Sequence, residues 1–362
     1  MHRFRHREPK ASSTYRAGIA AVLLVTLSSS PLAGQTPGSN PPRRRERFEH
    51  ASVLYDWMTN KRGQKLRTFI TRPKGVSGKV PVIFFVGWLS CDSMEYTGGE
   101  TDGFGALMLR LIDQSGYTTV RMDKPGVAES QGNCAAADFQ SEMEGFQAAF
   151  DSMSKYDFID PAAIFVVGLS NGGGFSPLLT GGRLVRGFVS AGSWGRTWYE
   201  HMLELERRRL MREKKSPAGI NDAMKAFTEF YSLYLIKGMT PGQVLAQHAE
   251  WKALWYDSEV GQYGRPAAFY QQLQSLNLGL LWQQVDAPVL VIRGTSDTIM
   301  SRLDSEAIVE SVNRLHPGHA RYLEIDGMTH DFSVGHKFHA PIVPMILDWM
   351  KNILAPSHRE SN

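Results

Sequence analysis

The apolar positions of this chain fall in short unbroken runs and do not alternate with polar ones. Residues 81–86 (PVIFFV) are the clearest case, and similar runs recur at 117–122, 163–167, 187–191, 288–292 and 321–325. A strand without polar alternation predicts burial on both faces, as in a parallel sheet covered by helices. Helical stretches fall between these runs at 104–115, 138–155 and 174–180, and 341–353 reads as a closing helix with its prolines in the first turns. Upstream, 51–58 and 64–72 are β-like and flank Asn60-Lys61-Arg62-Gly63, a hairpin signal. Strand and helix alternating in this way predict an α/β fold with a doubly wound, mostly parallel sheet.

One interval breaks the rhythm. From 195 to 282 no strand-like run is found, and the pattern is helical and charged at 200–215, 221–235 and 242–255. So long an interval between two strands exceeds any ordinary connection, and a helical cap inserted over the sheet's carboxyl edge is expected. It holds Trp198, Trp251, Trp255 and Trp282, four of the eight tryptophans. At helical spacing such residues are first of all packing residues.

The amino-terminal segment reads as a targeting signal. Arg3, Arg5, Arg7, Lys10 and Arg16 precede an apolar run from Ala17 to Leu27, and small residues follow at 28–34. The run is shorter than the ~20 residues that span a bilayer, and no Cys follows Leu32-Ala33-Gly34 to carry a lipid. Residues 1–34 are therefore expected to be a signal peptide and 35–46 a linker. The α/β core is expected at 47–194 and 283–362, with the cap at 195–282. The protein is expected to be secreted or periplasmic, without stable membrane insertion after cleavage.

Charge supports this division. The chain carries 40 basic and 36 acidic residues, a net of +4. The five basic residues before position 35, set against Glu8, account for all of it. A neutral mature chain argues against electrostatic nucleic-acid binding; Arg43-Arg44-Arg45 reads as a solvated run in the linker. The two cysteines, Cys91 and Cys134, are expected to pair in an oxidising compartment.

Candidate chemistry centres on Gly168-Leu169-Ser170-Asn171-Gly172, directly after an apolar strand and before a helical stretch. A Ser on so tight a turn projects its hydroxyl from the sheet edge. It becomes a nucleophile only when a base removes its proton. His330, after the last strand and before the closing helix, is the expected base among 11 histidines. His336 and His339 lie later on the same stretch, and His316 and His319 precede the strand. Asp297, just past the run 288–292, is the expected orienting carboxylate, ahead of Asp304, Glu306 and Asp326. For the tetrahedral oxyanion, the backbone N–H of Asn171 and that of Trp88 are expected donors, with Leu89 as the alternative to Trp88.

The turn around Ser170, with Asp297 and His330 following in that order, resembles the α/β-hydrolase superfamily over about residues 48–353. Arg121-Met122-Asp123-Lys124-Pro125-Gly126, continuing to Ser130, also resembles that family's D-x-x-G-x-x-x-S loop. With the cap, the likeness is to secreted bacterial serine esterases and acyl hydrolases. It departs from the family where Val86-Gly87 stands in place of His-Gly, and no HGGG occurs. The resemblance implies a carboxylic-ester hydrolase acting through an acyl-enzyme on a small ester or acyl substrate. Two alternatives are a serine peptidase or amidase of the prolyl-oligopeptidase-like branch and a non-catalytic binding protein on the same fold. A rival motif, Ser152-Met153-Ser154-Lys155, fits S-x-x-K, but no K-T-G follows. No H-E-x-x-H, Cys/His cluster or phosphate loop is found, so neither metal nor cofactor is expected.

Overall fold

The computed structural model describes residues 45–98 and 103–355. The expected signal peptide lies outside the described residues, as does the expected linker apart from its last two positions. Of these, Glu46 is already buried, its carboxylate clamped by Arg121 at 2.7 and 2.8 Å. Packing of the core therefore begins no later than Glu46.

β1 (Ala51–Thr59) and β2 (Lys65–Pro73) form the expected antiparallel hairpin. Its turn is organised by Asn60, whose Oδ1 accepts from the N–H groups of Arg62 and Gln64, both at 3.0 Å. There follow β3 (Val80–Val86), α1 (Gly103–Gln114), β4 (Thr118–Met122), α2 (Phe139–Ser152), β5 (Ile159–Leu169), α3 (Asn171–Thr180) and β6 (Gly187–Ala191). β5 starts earlier than the apolar run at 163–167, because Ile159 pairs with Val80 ahead of a register shift, and the exposed Pro161 and Ala162 between carry no burial pattern. α3 likewise starts three residues before the expected 174, its glycines being helical through close packing and not through propensity.

The interval after β6 is largely helical, with α4 (Trp198–Arg212), α5 (Pro217–Tyr231) and α6 (Pro241–Gln247). Their starts are set by polar caps. Thr197 with Glu200, and Thr240 with Gln243, form capping boxes, and Ser216 caps α5 ahead of Pro217. One expectation fails here, since β7 (Gly261–Gln262) and β8 (Arg265–Pro266) make a small antiparallel hairpin within the interval. Its turn residues Tyr263 and Gly264 both have positive φ, 47° and 73°, the geometry that two-residue hairpin turns favour. Strands of two residues are too short to show any periodicity. α7 (Ala267–Gln274) and α8 (Leu278–Gln283) lead to β9 (Val289–Gly294), α9 (Arg302–Leu315), β10 (Ala320–Ile325) and α10 (Ile342–Leu354).

Among the described residues the main sheet has eight strands in the order β1-β2-β4-β3-β5-β6-β9-β10. The pairings from β4 through β10 are parallel, and β2 alone runs antiparallel to its neighbours, β1 and β4. This is the doubly wound, mostly parallel sheet expected from the unbroken apolar runs. Val82, Phe84 and Val86 of β3 join one hydrophobic cluster, whereas Ile83 and Phe85 join the other, packed against α1 and α10. The first cluster continues without a break into the inserted helices. Trp282 shows the continuity, being fully buried with its indole N–H donating to Gly174 O at 2.9 Å. No helix among the described residues is long and apolar enough to cross a membrane.

Candidate active site

The turn between β5 and α3 determines where Ser170 points. Ser170 has φ 54° and ψ −124°, a region that residues with a Cβ rarely occupy and one that stores strain. Close packing imposes it. A Cβ at Gly168 would lie 2.4 Å from the Cα of Gly173, and one at Gly172 would lie 2.3 Å from Gly87 O. Only glycines let the strand, the helix start and the β3 end meet here. Trp194 anchors the first turn of α3, its Nε1–H donating to Asn171 O at 3.0 Å.

The three residues singled out from sequence come together. Ser170 Oγ lies 2.9 Å from His330 Nε2, and His330 Nδ1 lies 2.9 Å from Asp297 Oδ2. The other Asp297 oxygen accepts from the N–H groups of Ile299 and Met300, each at 2.8 Å. Burial alone would raise this carboxyl, but His330 and those two N–H groups outweigh it and hold its pKa below the ordinary value. An ionised Asp297 places the imidazole proton on Nδ1 and leaves the Nε2 lone pair for the serine hydroxyl. The loop that carries Asp297 is clamped from both sides. Arg293 Nη2 donates to Asp297 O at 3.1 Å, and Arg208 of α4 reaches Ile299 O at 2.7 Å.

The other candidates are placed elsewhere. His316 and His319 pair with Asp286 at the opposite, amino end of the strands, where His319 O accepts from Val289 N. His336 has positive φ on a turn and is exposed. Glu306 pairs with Arg302, and Asp326 accepts from Thr295. Asp304 is bound to His201 and Arg196. Ser152 donates to Ala149 O within its own helix, and Lys155 is exposed, so the S-x-x-K residues form no site.

The loop after β3 is held largely by the segment from Arg121 to Ser130 that the sequence singled out, in a role the motif itself does not assign. Lys124 Nζ donates to the carbonyls of Trp88 and Ser90 and pairs with Glu142 at 3.3 Å. Burial pushes the Lys124 ammonium below its usual pKa, and Glu142 offsets this only in part. Asp123 accepts from Met94 N at 2.6 Å and from Ser93 Oγ at 2.9 Å, while its own O accepts from Ser130 Oγ at 3.0 Å. Burial raises the Asp123 carboxyl to about 6 despite the Met94 and Ser93 hydrogen bonds. The D-x-x-G-x-x-x-S segment thus braces the β3 loop. Among the described residues, the backbone N–H groups of Trp88 and Asn171 donate to no other group.

Cys91 and Cys134 form a disulfide, closing a separation of 43 residues. Arg265 of the inserted hairpin donates to Cys134 Sγ at 2.6 Å and Cys134 O at 3.1 Å, and its other Nη pairs with Glu142. The bridge therefore joins the β3 loop to the inserted segment as well as to the loop after β4. The double variant Cys91→Ser/Cys134→Ser is expected to lose about 2–4 kcal/mol of stability, the typical contribution of a disulfide. Equilibrium urea unfolding with and without reductant measures this. An unchanged midpoint would remove the bridge from any structural role.

Ser170 and His330 open into a cavity of about 310 Å³, walled mainly by apolar side chains that include Trp88, Phe104, Leu205 and Met300. Trp198, His201 and Tyr263 of the insertion also line it. Of the four inserted tryptophans, Trp198 alone lines this cavity, and Trp251 and Trp255 pack around Phe230. No sequence signal marked Phe104, His201 or Arg265, because none lies in a motif. The Asn171 side chain is buried at the same wall, with both its amide N and O unpaired.

No family model matches the sequence, and no curated protein matches it. Solved structures do resemble the fold. Est1E from Butyrivibrio proteoclasticus, solved with ferulic acid bound, superposes with a TM-score of 0.56 at 17% identity, covering 83% of this chain and 100% of that one. An esterase of Pyrococcus furiosus gives 0.52 at 13% identity, covering 88% and 99%. The acylaminoacyl peptidase of Pyrococcus horikoshii gives 0.54 at 13% identity, covering 87% of this chain but 44% of the peptidase. At these identities the similarity establishes the shared α/β-hydrolase fold.

Proposed function

We propose that this protein is a serine hydrolase that cleaves a carboxylic ester through an acyl-enzyme. The observation that carries the reading is the continuous hydrogen-bonded chain from Ser170 through His330 to buried Asp297, 2.9 Å at each link. Ser170 Oγ attacks the acyl carbon as His330 Nε2 takes its proton. The oxyanion that forms is bound by the free N–H groups of Asn171 and Trp88. Collapse returns the proton from His330 to the departing alcohol and leaves the acyl group on Ser170. Water, deprotonated by the same Nε2, then releases the acid. Asp297 stays ionised throughout and stabilises the imidazolium.

The insertion from 195 to 282 acts in this reading as a cap, because Trp198, His201, Leu205 and Tyr263 wall the cavity beside Ser170. A volume near 310 Å³ is at the small end of ligand pockets. It suits a medium acyl chain or a single-ring acid better than an extended peptide, and so favours the ester over the peptidase reading. The Cys91–Cys134 bridge and the basic, then apolar amino terminus support export.

The test is fluorophosphonate labelling followed by rates on a panel of nitrophenyl esters and the matching anilides. Labelling at Ser170 is expected, with esters turned over at least 10²-fold faster than anilides, as expected where leaving-group protonation is undemanding. Faster anilide turnover would point to a peptidase, and an unlabelled, inert protein to a binding role.

A further inference from the structure

Trp198 and His201 occupy the first and fourth positions of α4, so they share one helix face with ring centroids 4.9 Å apart. Both line the cavity into which Ser170 opens. Trp198 is 2% exposed, and its indole N–H is buried with no hydrogen-bond partner. A buried donor left unpaired is costly and is not a packing device.

His201, 1% exposed, presents the complementary feature. Its Nδ1 lies 3.2 Å from Asp304 Oδ2, and no partner for its Nε2 is found among the described residues. Asp304 has a structural duty as the capping-box carboxylate of α9, with Ser301 Oγ at 2.8 Å, but it also binds Arg196 Nε at 3.2 Å. Burial opposes its ionisation, but His201 and Arg196 outweigh burial and hold its pKa far below the usual carboxylate range. A fixed anion at Nδ1 keeps the proton there and leaves Nε2 as an acceptor. The wall of the cavity thus contains, besides the unpaired Asn171 amide, a residue with an unpaired buried donor and, one turn of α4 on, a residue with an unpaired acceptor.

We propose that Trp198 and His201 form a polar anchor for a hydroxyl on the acyl part of the substrate, so that hydroxylated acids are the preferred acyl groups. A hydroxyl has the complementary pair of functions, an oxygen that would accept from Trp198 Nε1–H and a hydrogen that would be donated to His201 Nε2. A methyl in the same place leaves both unpaired, which is how a site discriminates between near-isosteric groups. Asp304 is the positioning residue, acting through His201. The proposal rests on the hydrolase reading above.

The test compares nitrophenyl esters of phenylpropanoic and hexanoic acids with their hydroxylated counterparts, the hydroxyl being moved along the ring or chain. Wild-type protein is expected to favour at least one hydroxylated member by about ten- to a hundredfold in kcat/KM. In Trp198→Phe, which deletes only the indole N–H and some ring area, and in His201→Phe, that ratio is expected to fall towards one. The ratio is read only on protein that still labels at Ser170, and Trp198→Phe keeps the test available if His201→Phe does not fold. Equal rates for plain and hydroxylated esters in wild type, or a ratio that survives both variants, would overturn the anchor and leave the hydrolase reading intact. A wild-type protein that labels with no fluorophosphonate and turns over no ester would overturn both.

Discussion

Replacing Ser170 by Ala is expected to lower kcat on an activated ester by on the order of 10⁶, and His330→Ala by a similar factor. The reason is the division of labour at the turn. The hydroxyl supplies the electron pair and the imidazole supplies the base, and neither works without the other, so losing either closes the covalent route. Ser170→Ala/His330→Ala should accordingly be hardly slower than the worse single variant. Residual rate in all three would come from the proposed oxyanion donors at Trp88 and Asn171 and from binding in the cavity. The Ser170→Ala chain should remain folded, because the positive φ is imposed by the contacts of Gly168 and Gly172 with neighbouring backbone and not by the hydroxyl. Ala pays the same backbone cost as Ser there. Steady-state rates, with circular dichroism to confirm folding, decide the matter. Near-full activity in Ser170→Ala would falsify the serine mechanism.

The proposed triad was legible because punctuation marks each member. Glycines crowd Ser170, Asp297 follows an apolar strand within three residues of its end, and His330 follows the last strand of the main sheet. The unbroken runs revealed the two-faced sheet for a related reason, since a strand covered on both sides has no position left for a polar residue. What supports the site was not legible, because long-range partners leave no local trace. Arg265 meets Glu142 and Cys134 across 123 and 131 residues, and Lys124 reaches back to Trp88 O from the loop after β4. The second Asp–His pair is not legible because His201 sits within a helix with no motif around it, and Asp304 is offered by the sequence only as an alternative partner for His330. Two-residue strands such as β7 and β8 are below the length at which a period can be read.

Two Asp–His pairs border one cavity, and the chemistry assigned to them differs, which makes Asp297→Asn informative. Asp297 faces the imidazole that contacts Ser170 Oγ, whereas Asp304 faces one that contacts no nucleophile. An Asn side chain of nearly the same shape can keep the Ile299 and Met300 N–H bonds through its oxygen. Its amide NH₂ then faces His330 Nδ1, and the ring is driven to the tautomer protonated on Nε2, which cannot accept the Ser170 proton. Asp297→Asn is expected to reduce kcat by about 10⁴ with a smaller change in KM. The loss should ease as pH is raised to the point where the hydroxyl ionises with less help. Asp304→Asn, by contrast, should alter the discrimination between plain and hydroxylated esters without a comparable fall in kcat. If the two variants lost kcat alike, the roles of the two pairs would have to be reassigned. If Asp297→Asn alone proved silent, His330 would need a different carboxylate, and none of Asp304, Glu306 and Asp326 is hydrogen-bonded to it.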